Sequence, residues 1–137
     1  MARRKQGGRV MGAAQRRKGA AAERELANLL ADELGTEVIR NLEQVRSGGC
    51  DLIGLEPFAI EVKRCEKLAL PAWWAQACDQ AETRIPVLAY RRSRYPWMFR
   101  LPLEFVIDGS IFGPWHHRPV CELTIEGFCF LAREVME

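Results

Sequence analysis

The sequence predicts an α/β fold, a central mixed five-stranded sheet flanked by helices with a small C-terminal extension. Three observations carry this. Short apolar runs at 36–41, twice within 50–64, at 86–90 and at 97–101 have the length of buried strands. Two longer stretches, 20–34 and 71–84, repeat their apolar residues at helical spacing instead. Finally, a chain of 137 residues is enough for one domain, able to bury about two thirds of its unfolded surface, and too short for two.

Residues 1–15 combine Gly7, Gly8 and Gly12 with basic side chains and read as a disordered tail, leaving 16–137 as the single domain. In the first helix, Leu26, Leu29, Leu30 and Leu34 form an apolar stripe that Gly35 closes as a C-terminal cap. Glu23, seven residues before Leu30, falls on or beside this stripe. It is either a first-turn acid favoured by the helix dipole or a site residue facing the sheet.

The run entered by Asp51 and the run Phe58-Ala59-Ile60-Glu61-Val62-Lys63 are separated by Glu56-Pro57, which leaves room for a tight connection only. An antiparallel hairpin is expected, with Asp51 opposite Glu61 to within one residue. Strand alternation puts Ile60 and Val62 on one face and Glu61 and Lys63 on the other, so three charged groups converge at one sheet edge. Two carboxylates about 4 Å apart repel by roughly 1 kcal/mol in water and about 4 kcal/mol in a partly buried site. A cation between them is therefore expected, and oxygen-only ligands suit Mg²⁺, or Mn²⁺ in its place, better than a closed zinc cage.

The second helix opens at Pro71, a good first-turn residue, and presents Trp74, Ala77, Cys78 and Ala81 as a core-facing stripe. Gln76 and Gln80 sit on an adjacent face, as plain surface or as amides approaching the site. Trp73 and Trp74 read as core and dimer contacts. Beyond residue 102 the tail holds a strand at 121–125 and a short helix at 127–136.

The formal charge of +2 conceals two basic clusters. The first 22 residues contain Arg3, Arg4, Lys5, Arg9, Arg16, Arg17 and Lys18 and no acid. Arg84, Arg91, Arg92, Arg94 and Arg100 form another acid-free stretch, interleaved with Tyr90, Tyr95 and Trp97. Such arrays neutralise phosphates and stack on unpaired bases; the bland alternative is a solvated tail and loop. Five cysteines without a close pair indicate reduced thiols. His116, His117, Cys121 and Cys129 lack the paired spacing of a zinc site. No signal-peptide core or membrane span is evident, so a cytoplasmic protein is expected.

The acids also form a pattern. Asp51 followed by Glu61-Val62-Lys63 resembles the PD-(D/E)xK nuclease superfamily, with Cys50 where a proline usually precedes the first acid. Arg17-Lys18-Gly19-Ala20-Ala21-Ala22-Glu23-Arg24-Glu25-Leu26 resembles the opening helix of archaeal-type Holliday junction resolvases, and Arg46-Ser47-Gly48-Gly49 resembles their serine-containing loop. The resemblance covers about residues 17–101 and implies a restriction-endonuclease-like core. It implies metal ligation by Asp51, Glu61, the Val62 carbonyl and Glu23, with Lys63 and Ser47 also at the catalytic centre. Arg16, Arg17, Lys18, Arg46, Arg91, Arg92 and Arg94 are the candidate DNA contacts. The expected function is a Mg²⁺-dependent endonuclease acting on branched DNA as a homodimer, since a two-fold dimer presents two sites for paired nicks. The alternatives are a non-cleaving nucleic-acid-binding module of the same fold, and a monomeric nickase or a repair or restriction-type nuclease.

Overall fold

The computed structural model describes residues 2–42 and 50–136. Helix α1 spans Ala2–Leu34, so it runs back through the residues that the sequence reads as a disordered tail. Good helix formers such as Ala13, Ala14 and the Ala20-Ala21-Ala22 run carry it past Gly12 and Gly19. The buried face of α1 is Ala22, Leu26, Ala27 and Leu30, packed on the sheet. Leu29, expected on this stripe, is instead partly exposed. Gly35 adopts the left-handed conformation, φ 65°, and its N–H reaches the Ala31 carbonyl at 2.9 Å, ending the helix as its position predicts.

Two short strands, β1 (Ile39–Arg40) and β2 (Leu52–Ile53), pair antiparallel with each other. The main sheet has four strands in the order β3 (Phe58–Arg64), β4 (Ile85–Arg91), β5 (Met98–Pro102) and β6 (Val120–Thr124). The β3–β4 pair is parallel and the other two pairs are antiparallel. Helix α2 (Leu70–Ala81) makes the crossover between the parallel strands, burying Trp74, Ala77, Cys78 and Ala81 against them as its spacing predicts. Helix α3 (Leu103–Asp108) follows β5, and α4 (Ile125–Val135) follows β6.

The mixed α/β architecture is the expected one, but the five-stranded sheet is not. The segment before β3 meets it through the Asp51 N–H to the Ile60 carbonyl at 2.8 Å and, across the turn, the Phe58 N–H to the Leu55 carbonyl at 2.8 Å, while β2 pairs with β1. The next donor on that edge, the Val62 N–H, goes to the Asp51 carboxylate, so a side chain replaces the ladder. Asp51 thus meets Ile60, within the one residue allowed for its pairing with Glu61. The fourth strand of the main sheet comes instead from the tail.

That tail completes the core. Phe128 of α4 stacks on Phe99 at 4.6 Å between ring centroids and meets the edge of Phe58 at 5.2 Å, while Phe105 of α3 meets Phe58 at 5.6 Å. Arg133 donates to the Glu33 carbonyl at 2.7 Å, tying α4 to the last turn of α1, where a cation also complements the helix dipole. Of the two tryptophans read as core and dimer contacts, Trp74 is buried and Trp73 is half-buried against the core. Trp97, Phe99, Trp115 and Phe128 are buried as well, and Phe130 is exposed. Among the described residues, no helix is long and apolar enough to cross a membrane.

Candidate active site

Glu23, Asp51 and Glu61 are the buried charged residues of the described part of the chain, at 7, 5 and 4% exposure. Carboxylates are almost never buried unless something compensates them, so three in one region require an explanation. Asp51 sits where the chain enters β2, with its backbone fixed by the Ile60 carbonyl and its Oδ2 by the Val62 N–H at 2.7 Å. Glu61 lies in the middle of β3, and the two carboxyl groups hydrogen-bond each other. Lys63, two residues along the same strand face, holds its Nζ 3.7 Å from Glu61 Oε1. Glu23 approaches from α1 closely enough for its charge to act on both acids.

Burial dominates the electrostatics. The Asp51 carboxyl is raised to about 6, chiefly by desolvation and against the stabilising pull of the Val62 N–H. Glu61 is raised to about 8 by desolvation first and by the negative charge of Asp51 second, with Lys63 opposing. The pair titrates as a unit and retains a proton near neutrality. Such a site is short of positive charge. Its donors are all oxygens, as a hard divalent cation requires, and the residues present fit one. The fit is nevertheless a pair plus a neighbour: among the described residues no three His, Cys, Asp or Glu side chains stand close enough to form a ready-made metal cluster.

Two residues of this region have no role in the sequence reading. Arg40 of β1 donates from Nε to Glu23 Oε1 at 3.0 Å and balances that buried charge. Glu25, one turn-fraction from Glu23, holds Arg91 at 3.0 Å with Oε1 and Arg64 at 3.5 Å with Oε2. Arg64 and Arg91 are register partners at the C-terminal ends of the parallel strands, so their like charges need a shared counter-ion. A basic residue inside a predicted strand was the only signal for Arg40. Nothing in the local sequence distinguishes Glu25 from a solvated helix acid.

The basic candidates fall into two groups. Arg16, Arg17 and Lys18 are exposed on α1. Arg91 is half-buried, with its guanidinium 5.6 Å from the Trp97 ring, whereas Arg92 lies over the Tyr95 ring at 4.3 Å and Arg94 is exposed. Gln76 and Gln80 are both half-buried on α2. Arg46 and Ser47 lie outside the described residues.

The whole of this arrangement falls within a family match. Residues 14–118 match the model of the family described as "Phage putative PDDEXK endonuclease". Among solved structures the chain is similar to Hjc of Archaeoglobus fulgidus, a Holliday junction resolvase from an archaeal hyperthermophile, at 20% identity and a TM-score of 0.45, over 79% of this chain and 88% of that one. No curated protein matches it. With the match spanning most of its length and taking in Glu23, Asp51, Glu61 and Lys63, the chain belongs to the phage PDDEXK endonuclease family.

Proposed function

We propose that this endonuclease is divalent-metal-dependent and selective for branched DNA, working as a homodimer in the cytoplasm. The observation that carries the metal dependence is the burial of Asp51 and Glu61 against each other with both carboxyls raised, an arrangement that costs stability unless a cation joins it. Asp51, Glu61 and the Val62 carbonyl would hold the ion, with Glu23 adding a direct or water-mediated contact. In an extended strand the N–H and C=O of one residue point to the same side, and the Val62 N–H already points at Asp51. Mg²⁺, or Mn²⁺ in its place, supplies Lewis-acid charge neutralisation for phosphodiester hydrolysis.

The remaining work belongs to the side chains around the pair. Lys63 orients the attacking water and offsets negative charge developing on the scissile phosphate. Arg91 and Arg64 carry positive charge at the same end of the sheet, and Arg16, Arg17 and Lys18 extend it along α1, so the DNA backbone has a basic track leading to the acids. Branch selectivity is supported by the sequence likeness of the opening helix to junction resolvases and by the arginine and tyrosine composition of the β4–β5 loop. Two-fold assembly fits paired nicks on a junction, and Phe112, Ile107, Ile111 and Phe130 are among the large apolar side chains left exposed.

The test is incubation of the protein with a labelled four-way junction, a flap and a linear duplex, each with and without Mg²⁺. Cleavage of the branched substrates only with Mg²⁺ is expected, with Asp51→Asn and Glu61→Gln each losing at least about 100-fold while still binding DNA. Binding without cleavage under every condition would favour the non-cleaving module instead.

A further inference from the structure

The loop joining β4 to β5 is more than a bearer of charge. Tyr95 in this loop is 54% exposed, whereas Trp97, two residues on, is buried. One ring face is covered by the Arg92 guanidinium at 4.3 Å, and most of the remaining ring surface is open to solvent. The loop is also braced. The Tyr95 N–H bonds the Arg92 carbonyl at 3.1 Å, closing a turn in which Arg94 has φ 70°, a left-handed conformation that a non-glycine residue adopts at a cost of about 1 kcal/mol or more. Arg91 donates to the Tyr95 carbonyl at 3.4 Å. From the other side, the Ser93 N–H donates to Glu66 Oε1 at 3.2 Å, and the Cys65 N–H to the Arg91 carbonyl at 3.2 Å.

These last two bonds fix the loop to the segment that leaves β3 just beyond Lys63. Lys63 is also the register partner of Tyr90, so β4 enters this loop directly beside the catalytic end of β3, and Tyr95 lies five residues further along the chain. A braced aromatic ring with one face covered by Arg92 therefore stands on the loop that leaves the sheet beside Lys63. In intact duplex the base faces are stacked and hidden. At a branch, flap or mismatch one is available.

We propose that Tyr95, backed by Arg92, is a stacking platform for an unpaired DNA base near the cut, and so a specificity-determining residue for branched over linear DNA. The inference rests on the nuclease reading above and adds to it the structural feature of the substrate that is recognised. A base sandwiched on the open face of Tyr95 gains aromatic stacking, and the guanidinium on the far face strengthens it through the cation–π contact.

The experiment places 2-aminopurine at successive positions within about four nucleotides of the branch point of a flap, and measures fluorescence on binding and single-turnover cleavage in parallel with a linear duplex. Wild type should quench one position selectively. Tyr95→Ala should abolish that quench and lower flap cleavage by about 5- to 150-fold, the range expected for one base–aromatic stack, with duplex cleavage unchanged. Tyr95→Phe should behave like wild type, because stacking needs the ring and not the hydroxyl, and it also controls for folding. Equal flap cleavage and an unaltered quench in Tyr95→Ala would overturn the proposal, as would equal losses in Tyr95→Ala and Tyr95→Phe. If the wild type binds and quenches but never cuts, the stacking platform stands and the nuclease reading fails.

Discussion

The Asp51 carboxylate receives the Val62 N–H at 2.7 Å, so the acid that leads into β2 is anchored to the backbone of the residue between Glu61 and Lys63. This bond does in one step what a hairpin ladder would do over several residues. It sets Asp51 against Glu61 and frees the rest of β2 to pair with β1.

The first prediction concerns pH. Both carboxyls are raised from ordinary values of 3.8 and 4.5, so the folded chain binds protons more tightly than the unfolded one and stability falls with rising pH. Their contribution is complete below those ordinary values and is lost as pH passes through about 6 for Asp51 and about 8 for Glu61. Thermal melting in chelator should show this decline, and Glu61→Gln should flatten it, melting above wild type at about pH 9 by roughly 3 to 5 °C for each kcal/mol recovered. Added Mg²⁺ should rescue wild type at that pH and leave Glu61→Gln largely unmoved. A wild-type profile that is level from about pH 5 to 9 would contradict the assignment.

Binding should respond to salt. If Arg16, Arg17 and Lys18 each meet a phosphate, replacing all three with alanine should lower the slope of log K against log salt by about 0.9 per contact, up to about 2.7. Fluorescence anisotropy across a salt series measures it, and an unaltered slope would remove α1 from the DNA surface.

Gly54 should resist substitution. It sits just after β2 with φ 107°, and a Cβ there would run into the Glu37 carbonyl oxygen. Gly54→Ala should therefore cost about 2 kcal/mol or more and disturb Asp51 three residues away. Gly109, at φ 76° with open space around it, is the comparison, and its alanine variant should cost about half as much. Equal melting temperatures for the two would refute the steric argument.

Glu25 should matter through the arginines that it holds. Glu25→Gln leaves Arg64 and Arg91 as unshielded neighbours, and kcat/KM should fall by about 5- to 10-fold, the scale of one charge-assisted hydrogen bond. Glu25→Asp should recover part of it. Tighter DNA binding with unaltered kcat would instead make Glu25 an electrostatic brake.

Much of the candidate site is legible in the chain because its proposed members announce themselves locally. Asp51 interrupts glycines and an apolar run, and Glu61 and Lys63 occupy alternate positions inside a strand otherwise fit for the core, where charge has no structural use. The helical stripe through Trp74 and Ala81 was legible for the same reason of period. Arg40 and Glu25 were not, since each acquires its meaning from a partner on another element, Glu23 in one case and Arg64 with Arg91 in the other. The sheet divides at a single donor: the Val62 N–H goes to a carboxylate rather than to a strand, which leaves β1 and β2 as a separate pair, and no period reports it. The aromatic residues are a further case. Phe105 and Phe128 close on Phe58 while Phe99 stacks on Phe128, a core demand that depends on the tail folding back.

That closure bears on how the protein is handled. The family match stops at residue 118, two residues before β6 begins. A recombinant fragment trimmed to the matched region would retain every acid of the site, yet it would bare the flank of β5 and take Phe128 away from Phe99. An unpaired strand beside an uncovered aromatic surface invites edge-to-edge association. The tail thus acts as the molecule's built-in guard against aggregation, and catalytic work on this chain depends on leaving it whole.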